Sequence, residues 1–209
     1  MKGALQRTIE AYNLNCLHYA AKFADYAPYV EQVQKFSAYL QSGDRVLDLG
    51  CGPGNVAKQL SMAKPLSIEG VDLSEKMVHL AQQNVPQGKF QVQDLRKAEF
   101  DAASFDAIVL SFSIVHLREA EALAVLKKAA TWLKRDGYIY VSFMEGKQPG
   151  FEKTSFSEQE LYFNYFREEQ IKKTLEESNI SCVRIEKKDY LEEDGSATTD
   201  VFVFGRKTR

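Results

Sequence analysis

VLDLGCGPGN, residues 46–55, decides the fold. Apolar side chains broken by one acid lead into Gly50, Gly52 and Gly54. A backbone needs such glycines when it leaves a buried strand, turns sharply and presses close to a ligand, with the free N–H groups of a following helix at hand. The dinucleotide fingerprint GxGxxG would put its third glycine where this chain has Asn55, so the strict NAD pattern fails.

Upstream, residues 7–40 show helical spacing, with Tyr12, Cys16, Tyr19 and Phe23 on one stripe and Pro28 dividing two helices. Tyr26 continues the seven-residue spacing of Tyr12 and Tyr19 and is expected on nearly the same face. Downstream the period shortens. RVLDLG, IEGVDL, KFQVQDL, FDAIVLSFS and GYIYVSF read as strands, separated by helical stretches such as EKMVHLAQQN and EAEALAVLKKAATWLKRDG. Strand and helix alternating in this way predict an α/β fold, a parallel sheet covered on both faces. FREEQIKKTLEESN suits a further helix, and CVRIEKKDY, the turn EEDGSA and TTDVFVFGRK read as an antiparallel hairpin on the sheet edge. The segment from Glu145 to Phe166 is longer than an ordinary connection, rich in aromatics, and read as a lid-like insert.

The chain has 209 residues and a net charge of -2, with 44% hydrophobic and 27% charged residues, which fits one soluble domain with a full core. The expected organisation is a helical cap (1–42), a cofactor-binding core (43–143), the insert (144–166) and a C-terminal helix with its hairpin (167–209). No apolar run approaches the roughly 18 residues of a membrane span. MKGALQRTIEAYN lacks the apolar stretch of a secretion signal, so the cytoplasm is the expected compartment. Cys16, Cys51 and Cys182 are too few and too scattered for a disulfide framework or a zinc site, and no metal is expected. Near-neutral charge argues against a nucleic-acid partner.

Asp48, Asp72 and Asp94 end three successive strands, and in an open α/β sheet ligands sit outside those ends. Asp72 lies about 20 residues past the glycines, where a carboxylate can accept from both hydroxyls of a ribose. Asp94 could read an adenine amine.

At these residues the chain resembles the class I S-adenosylmethionine-dependent methyltransferases. VLDLGCGPG, GVDLSEKMVHLA, FQVQDL, FDAIVLSFSIVHL and WLKRDGYIYVSF follow that family's order and spacing over Asp44 to Phe143, and AYNLNCLHYAAKF resembles a motif in which aromatics close over the cofactor. The resemblance implies a Rossmann-like, doubly wound seven-stranded sheet, six strands parallel and the last antiparallel. It implies S-adenosyl-L-methionine as cofactor, S-adenosyl-L-homocysteine as product, and a methyl acceptor expected to be a small molecule. Gly50, Cys51, Gly52 and Gly54 would approach the methionine part and Asp48 its amino group. Asp72 and Leu73 would hold the ribose; Asp94, Leu95 and Met77 would border the adenine; Ser111 and Phe112 would border the methyl. Tyr19 would close the cofactor side.

Methyl transfer from a sulfonium is an in-line displacement that needs alignment more than a dedicated nucleophile. His116 is the best-placed candidate base, against the alternative of a histidine bonded into structure at a helix start. His18 and His79 read as surface positions. Tyr12, Tyr162, Tyr165 and Phe166 are candidates for the acceptor pocket. An RNA or protein methyltransferase of the same fold is the competing reading, with Lys172, Lys173, Lys187 and Lys188 as the only compact basic pairs near the relevant end; a non-catalytic cofactor-binding partner is another. The expected state is a monomer or a homodimer.

Overall fold

A computed structural model describes residues 3–191 and 197–208; most of the EEDGSA turn lies outside the described residues. Two helices open the chain, α1 (Ala4–Phe23) and α2 (Ala27–Ser37), with Pro28 in the first turn of α2, where its missing N–H costs nothing. Tyr26 is therefore the N-cap of α2 and not a third member of the α1 face: α1 has already ended at Phe23, and its tail turns before the proline.

The alternation then runs β1 (Arg45–Leu49), α3 (Asn55–Ala63), β2 (Ser67–Asp72), α4 (Glu75–Asn84), β3 (Lys89–Val92), β4 (Phe105–Ser111), α5 (Glu119–Trp132) and β5 (Leu133–Glu145). A hairpin of β6 (Gly150–Thr154) and β7 (Ser157–Phe163) follows, then α6 (Glu168–Glu177), β8 (Ile180–Leu191) and β9 (Ala197–Lys207). β5 starts earlier than the sequence pattern predicts, because α5 stops at Trp132 and Leu133 already pairs with Phe105 of β4.

Seven strands form one sheet in the order β3-β2-β1-β4-β5-β9-β8. β1, β2, β3, β4 and β5 pair in parallel, while β9 runs antiparallel to both β5 and β8. Six strands thus point one way and the last is reversed between two of them. The order reverses between β1 and β4, which opens a crevice at their C-terminal ends.

Period-two alternation divides the core cleanly. Leu47, Leu49, Ile108, Leu110, Ile139, Val141 and Phe143 face α5 and α6. Val46, Ala107, Val109, Tyr140, Phe202 and Phe204 face α2 and α3. Asp48, Ser111 and Ser142 fall on this second face by the same alternation, polar positions at the strand ends where the apolar packing stops.

The Glu145 to Phe166 insert is not an irregular lid. It contains an antiparallel hairpin, with Phe151 opposite Tyr162 and Glu152 opposite Leu161, closed by a short turn at Ser155 and Phe156. Phe156 and Leu161 pack with Ala11 into a small second core that fastens the hairpin to α1, and Tyr12, Tyr19, Phe23 and Phe163 flank it. α1 has a kink at Asn15 (φ -111, ψ 17), whose side-chain amide donates to Ala11 O at 2.8 Å and to Gln159 Oε1 at 3.0 Å.

Candidate active site

The glycine turn is built for close approach. Gly50 (φ +80) sits so near Ser113 that an added Cβ would lie 2.3 Å from the serine Cβ. Gly52 (φ +51) has nothing within 4 Å of that position and borders the open crevice. Asp72, at the end of β2, fixes the turn: its carboxylate accepts from Gly52 N at 2.9 Å and Ser74 N at 2.8 Å. Burial raises the Asp72 pKa, and those amides oppose the rise by stabilising the anion. Ser74 caps α4 by accepting from Met77 N at 3.2 Å, and its own hydroxyl donates to Asn13 Oδ1 at 2.7 Å. α1 is thereby docked on the start of α4.

Asp48 is a buried acid at the floor of the turn. It is 2% exposed, and neither carboxylate oxygen has a hydrogen-bond partner. Burial, reinforced by the negative charge of Asp72, pushes its pKa up to about 7. A buried acid of this kind is costly unless a donor arrives to meet it. It faces a cavity lined by Tyr19, Tyr29, Gly50, Cys51 and Gly52. Burial also drives the Cys51 thiol up, which leaves it an inert neutral wall.

A second cavity runs along the ends of β2 and β3, lined by Asp72, Leu73, Met77, Asp94 and Leu95 on the sheet side and by Leu5, Thr8, Ile9 and Tyr12 of α1 above. Asp94 borders it with its carboxylate already engaged: Arg96 donates through Nε at 2.9 Å and Nη2 at 2.7 Å, and reaches Glu121 at 2.6 Å. Burial opposes the anion but these Arg96 contacts outweigh it, so the Asp94 pKa is lowered. Sequence reasoning overlooked Arg96, two residues from the acid.

A third chamber opens beyond the junction of the first two. Its walls include Tyr12, Tyr19, Phe112, His116, Phe156 and Tyr165. All three cavities share Tyr19 and Phe112. Phe112 has φ +50, a strained value for an aromatic residue, and is held there by Ser142, whose Oγ accepts from Phe112 N at 3.0 Å. The strain lies where the three cavities meet.

His116 sits on the one-turn 3-10 segment Ile114–His116. Its Nδ1 lies 3.0 Å from the Tyr162 carbonyl, which can only accept, so Nδ1 carries the proton and Nε2 accepts from the Tyr12 hydroxyl at 2.8 Å. Burial pushes the His116 pKa down to about 4 and the Tyr12 pKa well up, so both are neutral near pH 7. His116 is thus bonded into structure while also lining the second and third cavities beside Tyr12. Tyr12→Phe leaves Nε2 buried without a donor; an unfolding midpoint lower by the equivalent of about 1–3 kcal/mol is expected in urea titration.

The other expected pocket residues divide. Tyr165 lines the third chamber, but the Tyr162 ring packs on Phe151 with centroids 5.7 Å apart, and Phe166 is core beside Phe143. Phe163, Phe23, Tyr29 and Asp200 line it instead. His18 and His79 are exposed. The basic pairs are tied up in part: Lys187 binds Glu145 and Glu168 at 2.8 and 2.9 Å, and Lys188 binds Glu31. No helix among the described residues is long and apolar enough to cross a membrane.

Comparison with known proteins agrees with this fold. Residues 46–137 match the family model of the methyltransferase domain. A demethylmenaquinone methyltransferase of Thermotoga maritima is 35% identical over 99 residues, 47% of this chain and 42% of the relative. Phosphoethanolamine N-methyltransferase 3 of Arabidopsis thaliana is 30% identical over 107 residues, 49% of this chain and 21% of the relative. The chain therefore spans less than half the length of these curated relatives. Magnesium protoporphyrin IX methyltransferase of Synechocystis PCC 6803, solved with bound S-adenosylmethionine, superposes with a TM-score of 0.73 at 19% identity, covering 100% of this chain and 99% of that one. Residues 46–137 thus match a methyltransferase domain, and the chain has the fold of S-adenosylmethionine-dependent methyltransferases.

Proposed function

We propose that the chain binds S-adenosylmethionine in the first two cavities and transfers its methyl group to a small molecule in the third. The observation that carries this reading is Asp48, a buried carboxylate with two unpartnered oxygens beside an open glycine turn. A primary ammonium is the donor such a site lacks, and the methionyl part of this cofactor has one. When bound, the cofactor supplies a methyl group already activated by a positive sulfur.

The chain's own residues then bind, align and exclude water. Gly50 and Gly52 let the backbone approach the methionyl part. Asp72, with two oxygens fixed by backbone amides, accepts from the ribose hydroxyls, and Met77, Leu95 and the Asp94–Arg96 pair border the adenine. Ser111, Phe112 and Tyr19 line the junction where the methyl emerges. Tyr12, held by His116, closes the passage from above. Aligning donor and acceptor in such a closed site contributes on the order of 7–11 kcal/mol to lowering a barrier in favourable cases, which explains how the reaction could proceed without a dedicated nucleophile.

Calorimetric titration with S-adenosylmethionine, S-adenosylhomocysteine and NAD tests the reading. Saturable binding of the first two and not of NAD is expected; tight NAD binding alone would overturn it. Asp72→Ala is expected to weaken S-adenosylmethionine binding by about 2 kcal/mol or more, because the ribose loses a charged acceptor and the Gly52 amide loses its anchor. Unchanged affinity in a folded Asp72→Ala protein would refute the ribose assignment.

A further inference from the structure

We propose that the third chamber selects an amine, so that the methyl acceptor is a nitrogen that becomes positively charged as it is methylated. The proposal rests on the methyltransferase reading above and adds the acceptor class to it.

The walls are aromatic and the buried charge is negative. Tyr29 packs 4.9 Å from Phe112 at the junction and stacks on Phe23 at 6.1 Å, while Tyr19 meets Phe156 edge-on at 5.0 Å. The Tyr29 hydroxyl donates to Asp200 Oδ2 at 2.9 Å, and Asp200 is 5% exposed. Burial, then the Asp200 charge, raises the Tyr29 pKa, so the phenol stays neutral. On the opposite wall Glu152 accepts from the Tyr165 hydroxyl at 2.8 Å and pairs with Lys147 at 3.4 Å. Among the described lining residues the charged ones are Glu152, Lys153 and Asp200, and Lys153 is exposed at the rim. His116 is neutral and faces the same space.

An aromatic-lined space with a buried carboxylate in its wall favours a cation over a neutral or anionic guest of the same shape. A carboxylate or phosphate acceptor would meet Asp200 as a like charge. The charge flow of the reaction points the same way. A neutral amine, having left its proton in solvent, gives its lone pair to the methyl carbon; the carbon–sulfur pair returns to sulfur, which becomes neutral. The positive charge thus moves from sulfur to nitrogen, into the aromatic and acidic side of the junction, and the methylated ammonium gives up any remaining proton to water after release. A site that stabilises the charge where it develops favours the transition state over the bound amine.

The test uses protein saturated with S-adenosylhomocysteine, whose binding is first measured by calorimetry, and three probes of one shape: choline as cation, 3,3-dimethylbutan-1-ol as neutral isostere and 3,3-dimethylbutanoate as anion. Choline is expected to bind at least tenfold more tightly than the alcohol, with the anion weakest. Asp200→Asn is expected to lower choline affinity at least fivefold while S-adenosylhomocysteine affinity stays within twofold. Tyr165→Leu, which removes a ring from the wall away from the cofactor cavities, gives the same pattern if Asp200→Asn does not fold. Equal binding of choline and the alcohol, preference for the anion, binding of none of the three, or choline binding untouched by these substitutions would overturn the proposal. Failure of S-adenosylhomocysteine itself to bind would instead remove the methyltransferase reading beneath it.

Discussion

Asp48→Asn is expected to make the empty protein more stable and, at the same time, a weaker binder of S-adenosylmethionine. In the folded chain the Asp48 pKa is pushed from its ordinary 3.8 up to about 7 by burial and by Asp72. The folded state therefore holds a proton that the unfolded chain has released. Stability falls as pH rises through the window from about 4 to 7, by about 4 kcal/mol from this group. His116 acts in the opposite sense: its depressed pKa, about 4, makes stability rise with pH up to its ordinary 6.5. Wild type and variant share that contribution, so the difference between them isolates Asp48. The asparagine removes the charge and leaves a buried amide whose unmet hydrogen bonds cost about 1–3 kcal/mol, for a net gain of about 1–3 kcal/mol at pH 8. Urea midpoints measured from pH 5 to pH 8 should show the variant's advantage growing with pH. Affinity should move the other way, by about 2 kcal/mol or some thirtyfold, because the ligand's ammonium loses a charged partner. A variant less stable than wild type at pH 8 would contradict the orphaned-anion account.

Gly50→Ala and Gly52→Ala should separate folding from binding within one turn. At Gly50 the added methyl would meet the Ser113 Cβ at 2.3 Å with φ at +80, so the β1 exit and the segment after β4 must move apart. Overpacking of this kind costs about 1–3 kcal/mol and the left-handed backbone about 1–2 kcal/mol more, enough to leave a marginal fold in thermal unfolding. At Gly52 the methyl meets nothing within 4 Å, so only the backbone strain remains. The Gly52→Ala protein should fold, with a modestly lower melting temperature, yet lose S-adenosylmethionine binding by at least tenfold, since its methyl occupies the surface the ligand must touch. Wild-type affinity in Gly52→Ala would show that the ligand lies elsewhere.

The strand that carries Asp48, the glycine turn and the acids at 72 and 94 were legible because each is a local pattern: a short apolar run, a change of period, a residue at or just past a strand end. The third chamber was not. Asp200 comes from β9 and Tyr29 from α2, 171 positions apart, and only the antiparallel insertion of β9 beside β5 brings them to one place. In the insert the aromatic content was plain but the register was not. Tyr162 and Phe163 are neighbours on β7, and successive side chains of a strand face opposite ways, so choosing Tyr162 over Phe163 chose the wrong face. Phe166 belongs to the core because the chain has already turned toward α6: its amide donates to Met144 O at 2.9 Å. Arg96 escaped notice for a different reason: an acid at a strand end says nothing of whether the next turn neutralises it.

α1 forms the roof of the cavity along the ends of β2 and β3 with Leu5, Thr8 and Ile9, and further along a wall of the aromatic chamber with Phe23, while Tyr12 and Tyr19 belong to both. The β6–β7 hairpin is packed on the same helix. Under the proposed function one helix therefore bounds both the donor and the acceptor compartment, and a displacement of α1 would open the two together. The Asn13 link to Ser74 holds that shared wall on the start of α4, so a single contact bears on both compartments.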